Sequence, residues 1–191
     1  MERALYPDTL LAYAMNGEVL PVAHGFPVRL LVPGWYGMAS VKWLSAIHAI
    51  DEHFRGYFQE ERYVMRGGPV PDGTPVTEIG VRSIITTPED RARVKPGLHM
   101  VRGFAWSGAA PVSEIEVCTD GSTWQPAAWT SSSERYAWRC WEYAWHANTA
   151  GRHTLRSRTR DEAGNLQPEQ GIWNSLGYAN NAIQTVYVTV E

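Results

Sequence analysis

Two neighbouring runs hold most of the residues in this chain that could do chemistry. His24-Gly25-Phe26-Pro27-Val28-Arg29 is followed by Pro33-Gly34-Trp35-Tyr36-Gly37-Met38-Ala39-Ser40-Val41-Lys42-Trp43. Glycine lets a backbone approach a ligand closely, arginine offers a forked set of donors, and lysine offers a compact charge. Together they suit a phosphate or another anion. Scattered glycines and one arginine also occur in ordinary loops, so residue types alone leave the anion site and the plain loop both open. The two cysteines, Cys118 and Cys140, lie in apolar runs with no CxxC or Cys/His spacing. That argues against zinc and for small buried hydrophobes, with a disulfide between them left open. Arg156, Arg158 and Arg160 alternate along a strand-like run and read as one solvated face.

The elements that must position these residues change character along the chain. Asp8 is a good N-cap, and Asn16-Gly17 tolerates a left-handed stop, so a short helix is predicted between them. Residues 28–32 read as extended, closed by the turn Pro33-Gly34. Residues 41–50 fit a helical stripe nearly as well as a buried strand. Residues 67–77, rich in Gly and Pro, read as a linker. From about residue 78, short alternating segments such as 113–118, 153–159 and 183–190 are separated by turns including Asp120-Gly121 and 161–165. This regular spacing, with an aromatic-dense stretch at 136–145, predicts an antiparallel β-sandwich close to the immunoglobulin plan.

Composition agrees. Hydrophobic residues make up 44% and charged residues 19% of 191, the balance of a folded chain. Nine Trp and nine Tyr suit a β-rich core and its interfaces. A net charge of −3 with dispersed arginines argues against a nucleic-acid partner. No apolar run is long enough to span a membrane, and no apolar segment of a secretory signal follows Met1-Glu2-Arg3. The sequence does not fix the compartment: the chain as given reads as cytoplasmic, and a longer parent leaves the periplasm open.

Residues 24–44 resemble the most recognisable segment of the sulfite oxidase family of molybdopterin enzymes. The resemblance implies that His24, Arg29, Ser40 and Lys42 help hold the molybdenum cofactor, binding or neutralising the pterin and its phosphate. Trp106-Ser107-Gly108, Ile115-Glu116-Val117 and Asp120-Gly121 resemble the start of that family's dimerisation domain, and Gln167-Pro168 and Ile172-Trp173-Asn174 extend the likeness. It implies three parts: a C-terminal remnant of the molybdopterin-binding domain, with partial α+β structure, at 1–66, the linker at 67–77, and an immunoglobulin-like dimerisation domain at 78–191. It also resolves 41–50 as a strand, implies a homodimer, and looks closer to bacterial sulfane dehydrogenase-like members.

Three departures bear on activity. The family's molybdenum-ligating cysteine lies upstream of the segment matched at 24–44, and no cysteine precedes His24 here. A tyrosine that faces the metal in animal and plant members aligns with Phe54, or with Tyr57 in a shifted register. An arginine that binds sulfite aligns with Leu176 in Asn174-Ser175-Leu176-Gly177. The resemblance therefore implies an oxidoreductase transferring oxygen to a sulfur substrate in the complete enzyme, with catalysis by this chain alone expected to be absent or weak. A non-catalytic dimerisation module and one half of a split enzyme are the competing readings.

Overall fold

Residues of alternating apolar and polar character fill the last two thirds of the chain, and they pair as that pattern requires. The computed structural model describes residues 2–191. Four short strands come first: β1 (Leu10–Ala12), β2 (Ala14–Met15), β3 (Glu18–Val19) and β4 (Arg29–Leu31). Nine more follow: β5 (Arg82–Thr87), β6 (Ala92–Val94), β7 (Gly97–Trp106), β8 (Val112–Cys118), β9 (Gln125–Pro126), β10 (Ala128–Trp129), β11 (Arg139–Ala147), β12 (Gly151–Asp161) and β13 (Thr185–Val190). Helical structure among the described residues is confined to 3-10 turns and one π-helical turn at Phe58–Arg62. None of it is long and apolar enough to cross a membrane.

The chain forms two units: Met1–Ile79 with Ile172–Ala179, and Gly80–Gly171 with Asn180–Glu191. The second is the expected sandwich. One sheet has the order β10-β11-β7-β5 and the other β6-β13-β12-β8-β9, antiparallel except for β6 beside β13. Period-two burial is clearest in β12, where Leu155, Ser157, Thr159 and Asp161 are buried and the arginines between them are not. Trp141, Val101, Leu155 and Val188 meet between the sheets. The arginine run is the half-solvated face its alternation implies. Arg158 lies opposite Glu116 and Arg160 opposite Glu114, closing ion pairs of 2.7 and 3.2 Å.

Polar groups also join the two sheets. Ser83 of β5 and Ser157 of β12 are buried and share a 2.9 Å hydroxyl hydrogen bond. Gln167, 1% exposed, accepts from the Ser83 N–H at 2.8 Å and donates to the carbonyls of Ser83 and Ala182. Gln167→Leu strands those backbone groups in a dry core, each at about 1–3 kcal/mol. Urea denaturation of the variant should show a loss of that size with an unchanged m-value.

The Asp120-Gly121 turn behaves as its sequence suggests, with Gly121 at φ 83°. Asp120 Oδ1 accepts from the N–H groups of Thr123 at 2.7 Å and Ser122 at 2.9 Å. These bonds, Thr123 foremost, hold the carboxyl below the ordinary aspartate range. A depressed folded-state pKa stabilises above the unfolded value and loses that contribution as pH falls. The advantage of wild type over Asp120→Asn in melting temperature should therefore be constant above about pH 4 and shrink below it.

Three local expectations are corrected, and the pairing left open for the cysteines is decided. The predicted helix ending at Met15 is instead β1 and the β2–β3 hairpin, with Asn16 at φ 54° and Gly17 at φ 83° in its turn. Asn-Gly is the signature of a two-residue hairpin turn as well as a helix stop, and strands of two or three residues leave no period to decide. Residues 41–50 form neither helix nor strand. They run beside β4 through Leu30 N–H to Val41 O (2.8 Å) and Leu44 N–H to Val28 O (2.9 Å), broken by Trp43 at φ 53°. The supposed linker at 67–77 is the return of a hydrogen-bonded hairpin. Met65 and Val76 donate to Thr74 and Tyr63, and Val64, Met65 and Val76 are buried. Cys118 and Cys140 are not joined by a disulfide.

Candidate functional site

The first unit holds all four residues expected to bind a cofactor. A 3-10 turn at Val22–His24 ends at Gly25, whose φ of 112° lets its N–H cap back to the Val22 carbonyl. The chain then enters β4 at Arg29, which pairs with Ala12 of β1 on one side. The 41–44 stretch lies on the other side of β4. Gly25 is buried between these strands: a Cβ there would stand 3.1 Å from both Arg29 Cβ and Lys42 Cβ. Only glycine keeps the turn, the arginine and the lysine this close.

Their donors converge on the turn. Arg29 Nη1 donates to His24 O at 3.2 Å, Lys42 Nζ to Ala23 O at 2.9 Å, and the Trp43 indole N–H to Val22 O at 2.9 Å. Lys42 Nζ also lies 4.8 Å from the centre of the Trp43 ring. Each cation keeps unspent donors, because an ammonium has three N–H groups and a guanidinium five. Arg29 Nε is buried without a hydrogen-bond partner. Neither cation forms an ion pair among the described residues. Two uncompensated cations with spare donors beside a glycine turn fit the anionic group of a pterin cofactor.

The remaining residues divide. Ser40 Oγ accepts from the Val32 N–H at 3.1 Å, so its hydroxyl also holds the end of β4. Ser40 and Lys42 line an open cleft of about 330 Å³ with Trp43, Phe58 and Tyr63. His24 contributes its carbonyl to the cluster, while its side chain is exposed. Gly25 and Trp43 lie within the two runs that residue types marked, though neither was given a role there. Tyr63 lies outside them and carried no signal.

The segment Ile172–Ala179 lies within the sequence of the sandwich but packs in the first unit. Ser175 N–H donates to Arg66 O at 2.8 Å, and a Cβ on Gly68 would fall 2.0 Å from the Trp173 carbonyl oxygen. Asn174, 5% exposed, shapes the loop through both backbone groups of Tyr178. The Tyr178 ring packs against that of Tyr63, which lines the cleft, with centroids 5.2 Å apart and planes tilted by 32°. Leu176 thus belongs to the unit that holds Arg29 and Lys42. Phe54 and Tyr57 are both exposed, and the Tyr57 hydroxyl accepts from Arg62 Nε at 2.7 Å.

The oxidoreductase molybdopterin binding domain model matches residues 1–58, and the Mo-co oxidoreductase dimerisation domain model matches 74–191. The chain belongs to the sulfite oxidase family of molybdopterin oxidoreductases. It is similar to mitochondrial sulfite oxidase of Homo sapiens, at 36% identity over 210 residues, covering 100% of this chain and 38% of that protein. It is 34% identical over 197 residues to sulfite oxidase of Arabidopsis thaliana, covering 92% of this chain and 50% of that one. The crystal structure of the sulfane dehydrogenase SoxCD from Paracoccus pantotrophus superposes with a TM-score of 0.86 at 30% identity, over 98% of this chain and 50% of that chain. The chain thus spans half or less of each of these relatives.

Proposed function

We propose that this chain supplies cofactor-holding strands and the dimerisation domain of a molybdenum enzyme that oxidises a sulfur compound by oxygen-atom transfer. The observation that carries the reading is the pair Arg29 and Lys42, without an ion-pair partner among the described residues and drawn together around the buried Gly25 turn. Arg29 and Lys42 would neutralise the cofactor phosphate, and His24 and Ser40 would fix the backbone and the cleft beside it. When bound, the cofactor would supply the two-electron redox chemistry, and the protein its position and electrostatics. Leu176 offers no charge where an arginine would bind sulfite, which favours a sulfur substrate other than free sulfite. The enzyme would act as a homodimer.

Molybdenum and pterin content, measured per chain beside the intact mass, tests this. Stoichiometric cofactor that falls in Arg29→Ala and in Lys42→Ala is the expected result. Unchanged occupancy in both variants removes them from the site. A second reading puts the other cofactor-holding elements on a partner subunit. It is favoured by uncovered apolar side chains on the first unit, such as Leu10 at 51%, Leu11 at 54% and Tyr13 at 71% exposure. A chain of 21.4 kDa that copurifies with a second subunit and loses cofactor without it would support that arrangement.

A further inference from the structure

Two buried N–H donors of the first unit lack acceptors and line the same pocket. Arg3 Nε and Trp35 Nε1 are both shielded from solvent and have no hydrogen-bond partner. Both residues line a pocket of about 270 Å³ whose walls include Leu30, Val32, Ala39 and Ile47. Side chains alternate along a strand, so Leu30 of β4, and Val32 just beyond it, leave the chain on the side away from Arg29. The pocket shares no lining residue with the cleft beside Ser40 and Lys42. The Arg3 guanidinium is held without a counter-ion. Its Nη2 donates to the Pro33 carbonyl, and its carbon lies 4.8 Å from the Tyr6 ring centre and 5.8 Å from that of Trp35. It forms no ion pair among the described residues. A buried donor without an acceptor and a cation without an anion are both unfavourable, and one ligand relieves both.

We infer that this pocket binds a small organic monocarboxylate with an apolar body. A carboxylate has two oxygens, so one accepts from the Arg3 Nε–H and the other from the Trp35 indole N–H. Its bond to arginine is charge-assisted, and a planar guanidinium matches a planar carboxylate. Leu30, Val32, Ala39 and Ile47 then cover the hydrocarbon part. The volume is small beside most ligand pockets, which limits that part to one ring or a short branched chain. Phosphate fits poorly. It has no apolar part to set against these walls, and one guanidinium with an indole leaves most of its oxygens bare. An amine would set its charge against that of Arg3.

Benzoate titrated into the full chain tests this, followed by calorimetry and by the NMR signals of the tryptophan indole N–H groups. The indole signal missing from Trp35→Phe is that of Trp35, and benzoate should shift it in the wild-type chain. Arg3→Met keeps the aliphatic stem without the charge and should raise the benzoate dissociation constant at least about tenfold. Trp35→Phe loses a neutral donor and should raise it about threefold. Benzylamine, with the same ring and the opposite charge, should not bind. If Arg3→Met fails to fold by circular dichroism, Trp35→Phe and the benzylamine comparison decide. A Trp35 signal that benzoate leaves in place overturns the inference. Unchanged affinity in Arg3→Met, or equal binding of benzylamine, does the same. If a second subunit copurifies and benzoate binds only after its removal, the natural occupant is polypeptide and the carboxylate site falls.

Discussion

A Gly103→Val chain should be recovered unfolded or aggregated. Gly103 lies mid-strand in β7, between Ile85 of β5 and Trp141 of β11. A Cβ there would stand 1.9 Å from the Ile84 carbonyl oxygen and 2.5 Å from Trp141 Cζ2. Overpacking costs about 1–3 kcal/mol where neighbouring side chains can yield. Here the nearer obstacle is the backbone of a paired strand, and the other is an indole 1% exposed at the centre of the core. Relief requires β5 or β11 to leave its register, so the cost should exceed about 4 kcal/mol, against a total of about 5–15 for a domain. Trimming the indole separates the two contacts: Trp141→Phe should not rescue Gly103→Val, because the carbonyl clash remains. A folded double variant by circular dichroism and urea titration would place the constraint on the indole instead.

The largest effect expected on cofactor retention comes from Gly25→Val. Its φ of 112° is one that β-branched residues rarely adopt, and the added carbons would press on both Arg29 and Lys42. Strain of about 1–3 kcal/mol at such a position should be relieved by opening the turn away from β4. The two cations then separate, and cofactor content at limiting supply should fall about tenfold. The sandwich is a unit with its own core, so its unfolding transition should be nearly unchanged. Equal molybdenum and pterin content in Gly25→Val and wild type would mean that the turn does not hold the cofactor.

The fold was legible where the chain alternates over six or more residues. β8, β12 and β13 lie within a residue or two of the segments that alternation marks, because burial on one face forces apolar residues to every second position. In the first unit only β4 was legible, as the extended run at 28–32. Strands of two or three residues carry no period, and Asn16-Gly17 serves a hairpin as well as a helix end. Residues 67–77 look like a linker because Gly and Pro mark both linkers and tight returns. Only the hydrogen bonds of Met65 and Val76 distinguish the two.

For the site, residue types alone suited an anion but left an ordinary loop open, and the resemblance favoured the anion. Sequence by itself determined the chemistry on offer: two cations among glycines, no cysteine before His24, and an uncharged residue at Leu176. It determined the sandwich as well, since period-two burial is a local property of each strand. Tertiary structure alone decided which residues meet. Gly25 draws Arg29 and Lys42 together because no Cβ fills the space between them, and no one-dimensional pattern records a gap. Ile172–Ala179 joins the first unit, where the Ser175 N–H donates to the carbonyl of Arg66, a backbone more than 100 residues earlier. The pocket that Arg3 and Trp35 line likewise exists only once their segments meet. Each of these is a relation between distant segments, and distance along the chain carries no trace of it.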